Sequence, residues 1–127
     1  MELAISLPLL LIIVFGIIEF GFILYDKAMI TNASREGARA GIVFHHPDRI
    51  SDAEIESVVT NYCREHLVSL GSSSDVIVDP PSRTGSNPGD YLTVTVTYRY
   101  TFLILPNLDR SLPGGITLTA QTVMRME

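Results

Sequence analysis

The sequence predicts an α+β fold: one long apolar N-terminal helix continues into a head, where a second helix packs on a small antiparallel sheet of about three strands. Three observations support it. Residues 3–24 form an apolar run whose only ionisable side chain is Glu19. Residues 51–71 repeat apolar side chains at helical spacing, and residues 91–102 alternate apolar and polar side chains. Helices on one face of an antiparallel sheet satisfy these patterns together.

The apolar run is long enough to cross a bilayer, which takes about twenty apolar residues. It is apolar on all faces until Tyr25, so lipid or other protein must surround it. Lys27, Arg35 and Arg39 follow the run and no basic residue precedes it, a pattern that by itself places the head in the cytoplasm. We expect instead that a basic leader has been removed from a longer precursor, because its loss leaves the same pattern. The length of the run argues against a cleaved secretory signal.

The first helix is predicted to continue beyond the apolar run, because residues 25–44 contain no proline. It ends at His45-His46-Pro47, since the residue before a proline is pushed out of the helical region. This divides the chain into a transmembrane or filament-core helix (residues 1–44) and a globular head (residues 45–127).

Two kinds of residue interrupt the apolar run. Pro8, Gly16 and Gly21 weaken the helix and are predicted to give it flexibility. An opened turn in lipid leaves backbone groups unpaired, so such opening belongs to a state in which protein surrounds the helix. Glu2 and Glu19 are carboxylates that need a partner in apolar surroundings. We expect both at subunit contacts, and the nearest candidate for Glu2 is an amino terminus, its own or a neighbour's.

A ribbon of small residues follows on one side of the same helix: Ala33, Gly37 and Gly41, four residues apart. Two interpretations are open. Such ribbons let another membrane helix approach closely, or they let a helix rest tightly on its own sheet.

Charged residues lie on the other faces of this part of the helix: Arg35, Glu36 and Arg39. They are either solvated or paired with a neighbouring subunit.

The second helix begins at a capping box formed by Ser51 and Glu54, and Gly71 is predicted to end it. Its apolar stripe comprises Ile55, Val58, Val59, Tyr62, His66, Leu67 and Leu70. Cys63 and His66 are three residues apart, but no second pair of ligands has useful spacing, so we predict no metal site.

The rest of the chain is predicted to be β-structure and turns. Strands are predicted at residues 76–78, 91–102 and 116–126, a turn at residues 82–90 and a loop at residues 103–115. In the long strand, one set of side chains faces the core: Leu92, Val94, Val96, Tyr98, Tyr100 and Phe102.

Composition and motifs exclude several functions. The net charge of −5, with acidic and basic residues mixed, argues against nucleic acid as a partner. A single cysteine allows no intrachain disulfide. Residue types used in catalysis cluster at one place: His45, His46, Asp48, Ser51 and Asp52. The end of one helix and the start of the next explain this cluster, so we predict no enzyme and no cofactor.

Residues 1–42, MELAISLPLLLIIVFGIIEFGFILYDKAMITNASREGARAGI, resemble the N-terminal signature of TadE-like pseudopilins, type IV pilin relatives of tight-adherence (Tad/Flp) pili. The resemblance is carried by Glu2, Leu7-Pro8, GIIEFG, Asn32 and the block from Arg35 to Arg39, and it resumes in ITLTAQTVMRME at the end of the chain.

This resemblance implies a prepilin that a dedicated peptidase cuts and that its first helix holds in the inner membrane. It implies a filament whose core is a bundle of such helices, with Glu2 at the position of a glutamate linked to subunit docking. Members of this family usually have a short basic leader ending in glycine before this glutamate. Because the printed sequence shows none, we expect either that its numbering starts inside the precursor or that processing differs.

Three functional hypotheses follow. The first is a subunit of an extracellular filament for surface attachment, whose partners are copies of itself or related pilins, the inner-membrane assembly platform, the prepilin peptidase and, before assembly, the bilayer. The second is a minor or initiating pseudopilin that stays in the inner membrane and supports pilus assembly. The third is a membrane-anchored module that binds a surface through residues 82–90 and 106–115.

Overall fold

The computed structural model describes residues 1–43, 49–68, 75–102 and 115–127. These residues form six elements in chain order: α1 (Glu2–Ile42), α2 (Asp52–His66), β1 (Val76–Val78), β2 (Ser82–Arg83), β3 (Tyr91–Thr101) and β4 (Gly115–Arg125). The predicted α+β class, with a long apolar helix, a second helix and a small antiparallel sheet, is confirmed. α1 ends at Ile42 and Val43 is extended, so the helix stops slightly before the predicted end at His45-His46-Pro47. Those three residues and most of the predicted loop at residues 103–115 lie outside the described residues.

α1 is one continuous helix of 41 residues, about 60 Å long at 1.5 Å per residue. Nearly all of its first 18 residues are exposed. From Glu19 onward one face is buried, at the spacing of three and four residues that places side chains on one side of a helix. The buried residues are Glu19, Ile23, Asp26, Ile30, Ala33, Ser34, Gly37, Ala38 and Gly41. The same helix is therefore a bare stalk at its start and a core element of the head at its end.

α2 begins at the predicted capping box. The Ser51 side chain accepts a hydrogen bond from the Glu54 N–H at 3.3 Å, and the Glu54 carboxylate accepts one from the Ser51 N–H at 2.7 Å. Two of the helix N–H groups that lack an intrahelical acceptor are satisfied in this way. The helix buries Ile55, Val59 and Cys63 against the rest of the head.

α2 ends at His66, earlier than the sequence predicts. Leu67 is extended, with φ −74° and ψ 138°. The next N–H, that of Val68, donates to Oδ1 of Asp26 at 3.0 Å instead of to a carbonyl one turn back. A side chain of α1 therefore takes the N–H that would have continued the helix. The predicted end at Gly71 lies outside the described residues.

β3 is the central strand of the sheet. β4 pairs antiparallel along its whole length, from Tyr91↔Arg125 to Thr101↔Gly115. β1 and β2 lie end to end on the other edge of β3 and are also antiparallel to it.

The sequence places residues 82–90 in a turn, and for Ser82–Arg83, which form β2, that prediction is wrong. The Asp79 N–H still donates to the Thr95 carbonyl at 3.1 Å. Pro80 and Pro81 then have no N–H to give, so pairing lapses for two residues and resumes at β2.

The core lies between the inner face of the sheet and the two helices. Five of the six predicted inward side chains of β3 are buried, and Phe102, beyond the strand end, is half-buried. α1 crosses β3 and β4, and α2 packs beside α1 and against β1.

Candidate functional site

The first 18 residues, here called the bare segment, form an apolar surface that the head leaves uncovered. Thirteen of their large apolar side chains are exposed, including Ile5, Ile13 and Ile17. Among the described helices, α1 is the one long and apolar enough to cross a membrane. Exposure of such a side chain to water costs about 1.5–3 kcal/mol, or on the order of 20–40 kcal/mol for this set. Folding stabilises a typical domain by only about 5–15 kcal/mol, so lipid or protein must cover the bare segment.

The predicted flexible positions lie along this part of α1. The helix continues through Pro8, Gly16 and Gly21. A Cβ at Gly16 or Gly21 would meet no heavy atom of the described residues within 4 Å. Packing within the chain therefore does not require either glycine, and their role in flexibility stays a prediction.

The ribbon of small residues faces the head of the same chain. Ala33, Gly37 and Gly41 are all buried. A Cβ at Gly37 would overlap Val59 Cγ2 on α2, and one at Gly41 would overlap Leu92 Cδ2 on β3. Of the two interpretations of the ribbon, the structure agrees with close packing inside the same chain. The ribbon is covered by α2 as well as by the sheet.

Three polar residues on the buried face of α1 were not assigned an intrachain role from the sequence. Asp26 Oδ1 accepts the Val68 N–H, whereas its Oδ2 has no hydrogen-bond partner among the described residues. Ser34 Oγ lies 2.6 Å from Thr122 Oγ1 on β4. Glu19 is fully buried within the chain, and its predicted part in subunit docking stays a prediction. In the sequence, the helical spacing of these three residues with Ile23 and Ile30 was the available sign that they share the buried face of α1.

Lys27 joins α1 to the edge of the sheet. Its Nζ donates to the Thr119 carbonyl on β4. In the sequence Lys27 is recognisable only as a charge that flanks the apolar run, because a hydrogen bond between residues 92 positions apart leaves no local pattern.

The predicted inter-subunit charges are on the outside of the head. Arg35, Glu36 and Arg39 are exposed, and Arg39 Nη1 lies 3.9 Å from Glu36 Oε2. The last two also line an open groove of about 490 Å³ between α1 and α2. A neighbouring chain could reach all three side chains, so their pairing across subunits stays a prediction.

Glu2 is exposed in the first turn of α1, where a carboxylate interacts favourably with the helix dipole. Contacts within the chain do not test its predicted role in subunit docking, which stays a prediction.

The residues considered for metal binding have other places in the structure: Cys63 is part of the core, and His66 contacts Tyr62. Cys63 is buried, and burial raises the pKa of its thiol to about 11. His66 Nδ1 donates to the Tyr62 carbonyl at 2.8 Å, and the two rings stack with centroids 4.2 Å apart. The described residues contain no group of three His, Cys, Asp or Glu side chains that could hold a metal ion.

The residues considered for catalysis have structural contacts where they are described. Ser51 caps α2, and Asp52 forms an ion pair with Arg83, which also bonds the Ile50 carbonyl. His45, His46 and Asp48 lie outside the described residues.

A bare apolar N-terminal helix that continues into a small α+β head is the layout of a pilin-like subunit suited to membrane anchoring. Residues 1–39 match the model of a family described as TadE-like protein. The match confirms the resemblance to TadE-like pseudopilins and ends within α1, so α2 and the sheet lie beyond it. No curated protein and no solved structure matches the chain. The family match and the bare helix together fit a pilin-like subunit of a Tad pilus.

Proposed function

We propose that this chain is a structural pilin-like subunit of an extracellular Tad-type filament used for surface attachment. Residues 3–24 hold it in the inner membrane before assembly, and α1 then packs against α1 of other copies or of related pilins. The observation that carries the proposal is the bare segment, because it lies within the part of the chain that matches the TadE-like family.

The bare segment suits both environments. Its 18 residues span about 27 Å as a helix, close to the roughly 30 Å of hydrocarbon in a bilayer. Tyr25 and Lys27 follow within three turns, where an aromatic ring and a cation suit the interface with water. Because the segment is apolar on every face, the α1 helices of other subunits can replace lipid around it without any change in the head.

Glu2 is the candidate docking residue in the assembled state. A carboxylate within an apolar bundle needs a cation or a hydrogen-bond donor. The amino terminus of a neighbouring copy provides both. A prepilin peptidase that exposes that terminus and an assembly platform that moves the chain out of the membrane are the further partners that this function requires.

The test is a charge placed in the bare segment. Ile13 is 51% exposed there, and Ile77 on β1 is 60% exposed, so each variant keeps its chain fold. Ile13→Lys should remove the chain from filaments sheared from expressing cells, because the ammonium group would be buried among apolar helices. Ile77→Lys should assemble as the unchanged chain does, because its charge stays in water.

Filaments that contain Ile13→Lys at the normal level would refute the proposal. If the unchanged chain is found in the membrane fraction and never in sheared filaments, it is the initiating or minor subunit instead.

A further inference from the structure

Among the described residues, no strand pairs with the outer edge of β4. In the β3–β4 ladder, the Met126 N–H donates to the Asp90 carbonyl at 2.7 Å. Hydrogen-bonded pairs alternate in an antiparallel ladder, so even-numbered residues of β4 bond β3 and odd-numbered residues point away from it. The outward-pointing backbone groups belong to Thr117, Thr119, Gln121, Val123 and Arg125. All five residues are exposed.

One described contact covers this edge, the bond from Lys27 Nζ to the Thr119 carbonyl. The backbone groups of Thr117, Gln121 and Val123 have no hydrogen-bond partner among the residues that the structure describes. β4 has no proline and pairs with β3 without interruption over 11 residues. By contrast, Pro80 and Pro81 interrupt the opposite edge, as expected of an edge protected against pairing.

The surroundings of the edge are basic. Lys27 and Ser34 both contact β4, so they mark the side of α1 that faces this edge. Arg35 follows Lys27 about two turns later; it is exposed and points further away from the sheet than Lys27 does. The side chains of these five β4 residues lie on the sheet face away from α1, because the even-numbered Leu118 and Ala120 are buried on the other face; they include Arg125 and no acid. A strand added beside β4 would therefore meet Lys27 and Arg35 on its α1-facing side and Arg125 on the opposite face.

We infer that the free edge of β4 binds an extended, acidic segment of another protein by adding it to the sheet as a fifth strand. Backbone hydrogen bonds to Thr117, Gln121 and Val123 hold the segment. Lys27 leaves the Thr119 carbonyl, which then bonds the new strand, and its ammonium group pairs with a carboxylate of that strand. Arg35 pairs with a second one.

A second copy does not suit this edge. α1 and β4 run in the same direction, because Lys27 bonds Thr119 and Ser34 contacts Thr122. Antiparallel pairing of β4 with its own copy would point the two apolar helices in opposite directions, so they could not enter one membrane from the same side. The proposal does not rest on filament assembly.

The test uses the full chain in detergent micelles and a capped peptide of about seven residues that alternates glutamate with valine. A peptide with lysine in place of glutamate is the control. We expect the acidic peptide to bind at least about tenfold more tightly by fluorescence anisotropy. It should slow hydrogen exchange at the amides of Thr117, Gln121 and Val123.

Two variants identify the edge. Gln121→Pro removes an outward N–H without breaking the ladder to β3 and should weaken binding at least about tenfold, whereas Gln121→Ala should not. Lys27→Glu should weaken binding of the acidic peptide and strengthen binding of the lysine peptide. Equal binding of the two peptides, unchanged amide exchange, or equal binding by the Gln121→Pro and Gln121→Ala variants would overturn the proposal. So would binding that Lys27→Glu leaves unaltered, or saturable self-association that blocks the edge.

Discussion

Gly37→Ala tests whether the small-residue ribbon serves the fold of the head. The new Cβ would overlap Val59 Cγ2 and lie 3.5 Å from Ile55 Cγ2 and 3.6 Å from Val94 Cγ1. Overpacking of this kind costs about 1–3 kcal/mol, and replacing a mid-helix glycine by alanine returns up to about 1 kcal/mol. We therefore expect the free energy of unfolding of the head to fall by about 0.5–2 kcal/mol.

The assay is thiol labelling of Cys63, which is buried on α2 and reacts only when the head opens. The expected loss of stability should speed labelling by about 2- to 30-fold. Gly21→Ala is the matched control: it makes the same helix-favouring change, but its Cβ meets none of the described atoms, so labelling should stay unchanged or become slower. Labelling of Gly37→Ala at the unchanged rate, or equal acceleration by both variants, would refute the intrachain role of the ribbon.

Three further predictions follow from single residues. Ser51→Ala removes the cap of α2 and should lower the stability of the head by about 1 kcal/mol in thermal unfolding; an unchanged midpoint would contradict this. Because the pKa of Cys63 is raised from its ordinary value of 9.0 to about 11, stability should be full below pH 9 and fall as the pH rises from about 9 to about 11. A Cys63→Ala variant should lack that fall, and the same fall in both chains would assign it to other groups. Glu2→Ala should lower incorporation into filaments while leaving Cys63 labelling unchanged, and normal incorporation would remove the docking role.

Local patterns were sufficient for the elements whose determinants are close in the chain. The apolar run, the capping box at Ser51 and the alternation along β3 each depend on residues a few positions apart, and the structure has all three. The class of fold follows from these patterns because few layer arrangements bury them all.

The features that the sequence did not predict depend on distant contacts. α2 stops at His66 because Asp26, 42 residues before Val68, accepts its N–H. β2 exists because β3 offers an edge on which pairing resumes after two prolines. Likewise, the helical spacing of the small residues of α1 indicates that another element packs closely against them. Only the position of α2 shows which element that is.

For the candidate site, too, one feature was predicted from the sequence and another was not. Exposure of the bare segment was predicted, since a run that is apolar on every side has no face reserved for its own head. Burial of Glu19 was not predicted: its spacing with Ile23 places both residues on one face of α1, but only the position of the head shows that the head, and not a neighbouring helix, covers that face.

The most direct test of the central claim is photo-cross-linking from the bare segment. A photoreactive side chain placed singly at positions 10, 11, 12 and 13 samples the perimeter of α1 in steps of about 100°. In sheared filaments, irradiation at one or more of these positions should join the chain to another copy or to a related pilin, because the segment is packed against other α1 helices. Filaments that contain the chain but give no cross-link at any of the four positions would contradict the account.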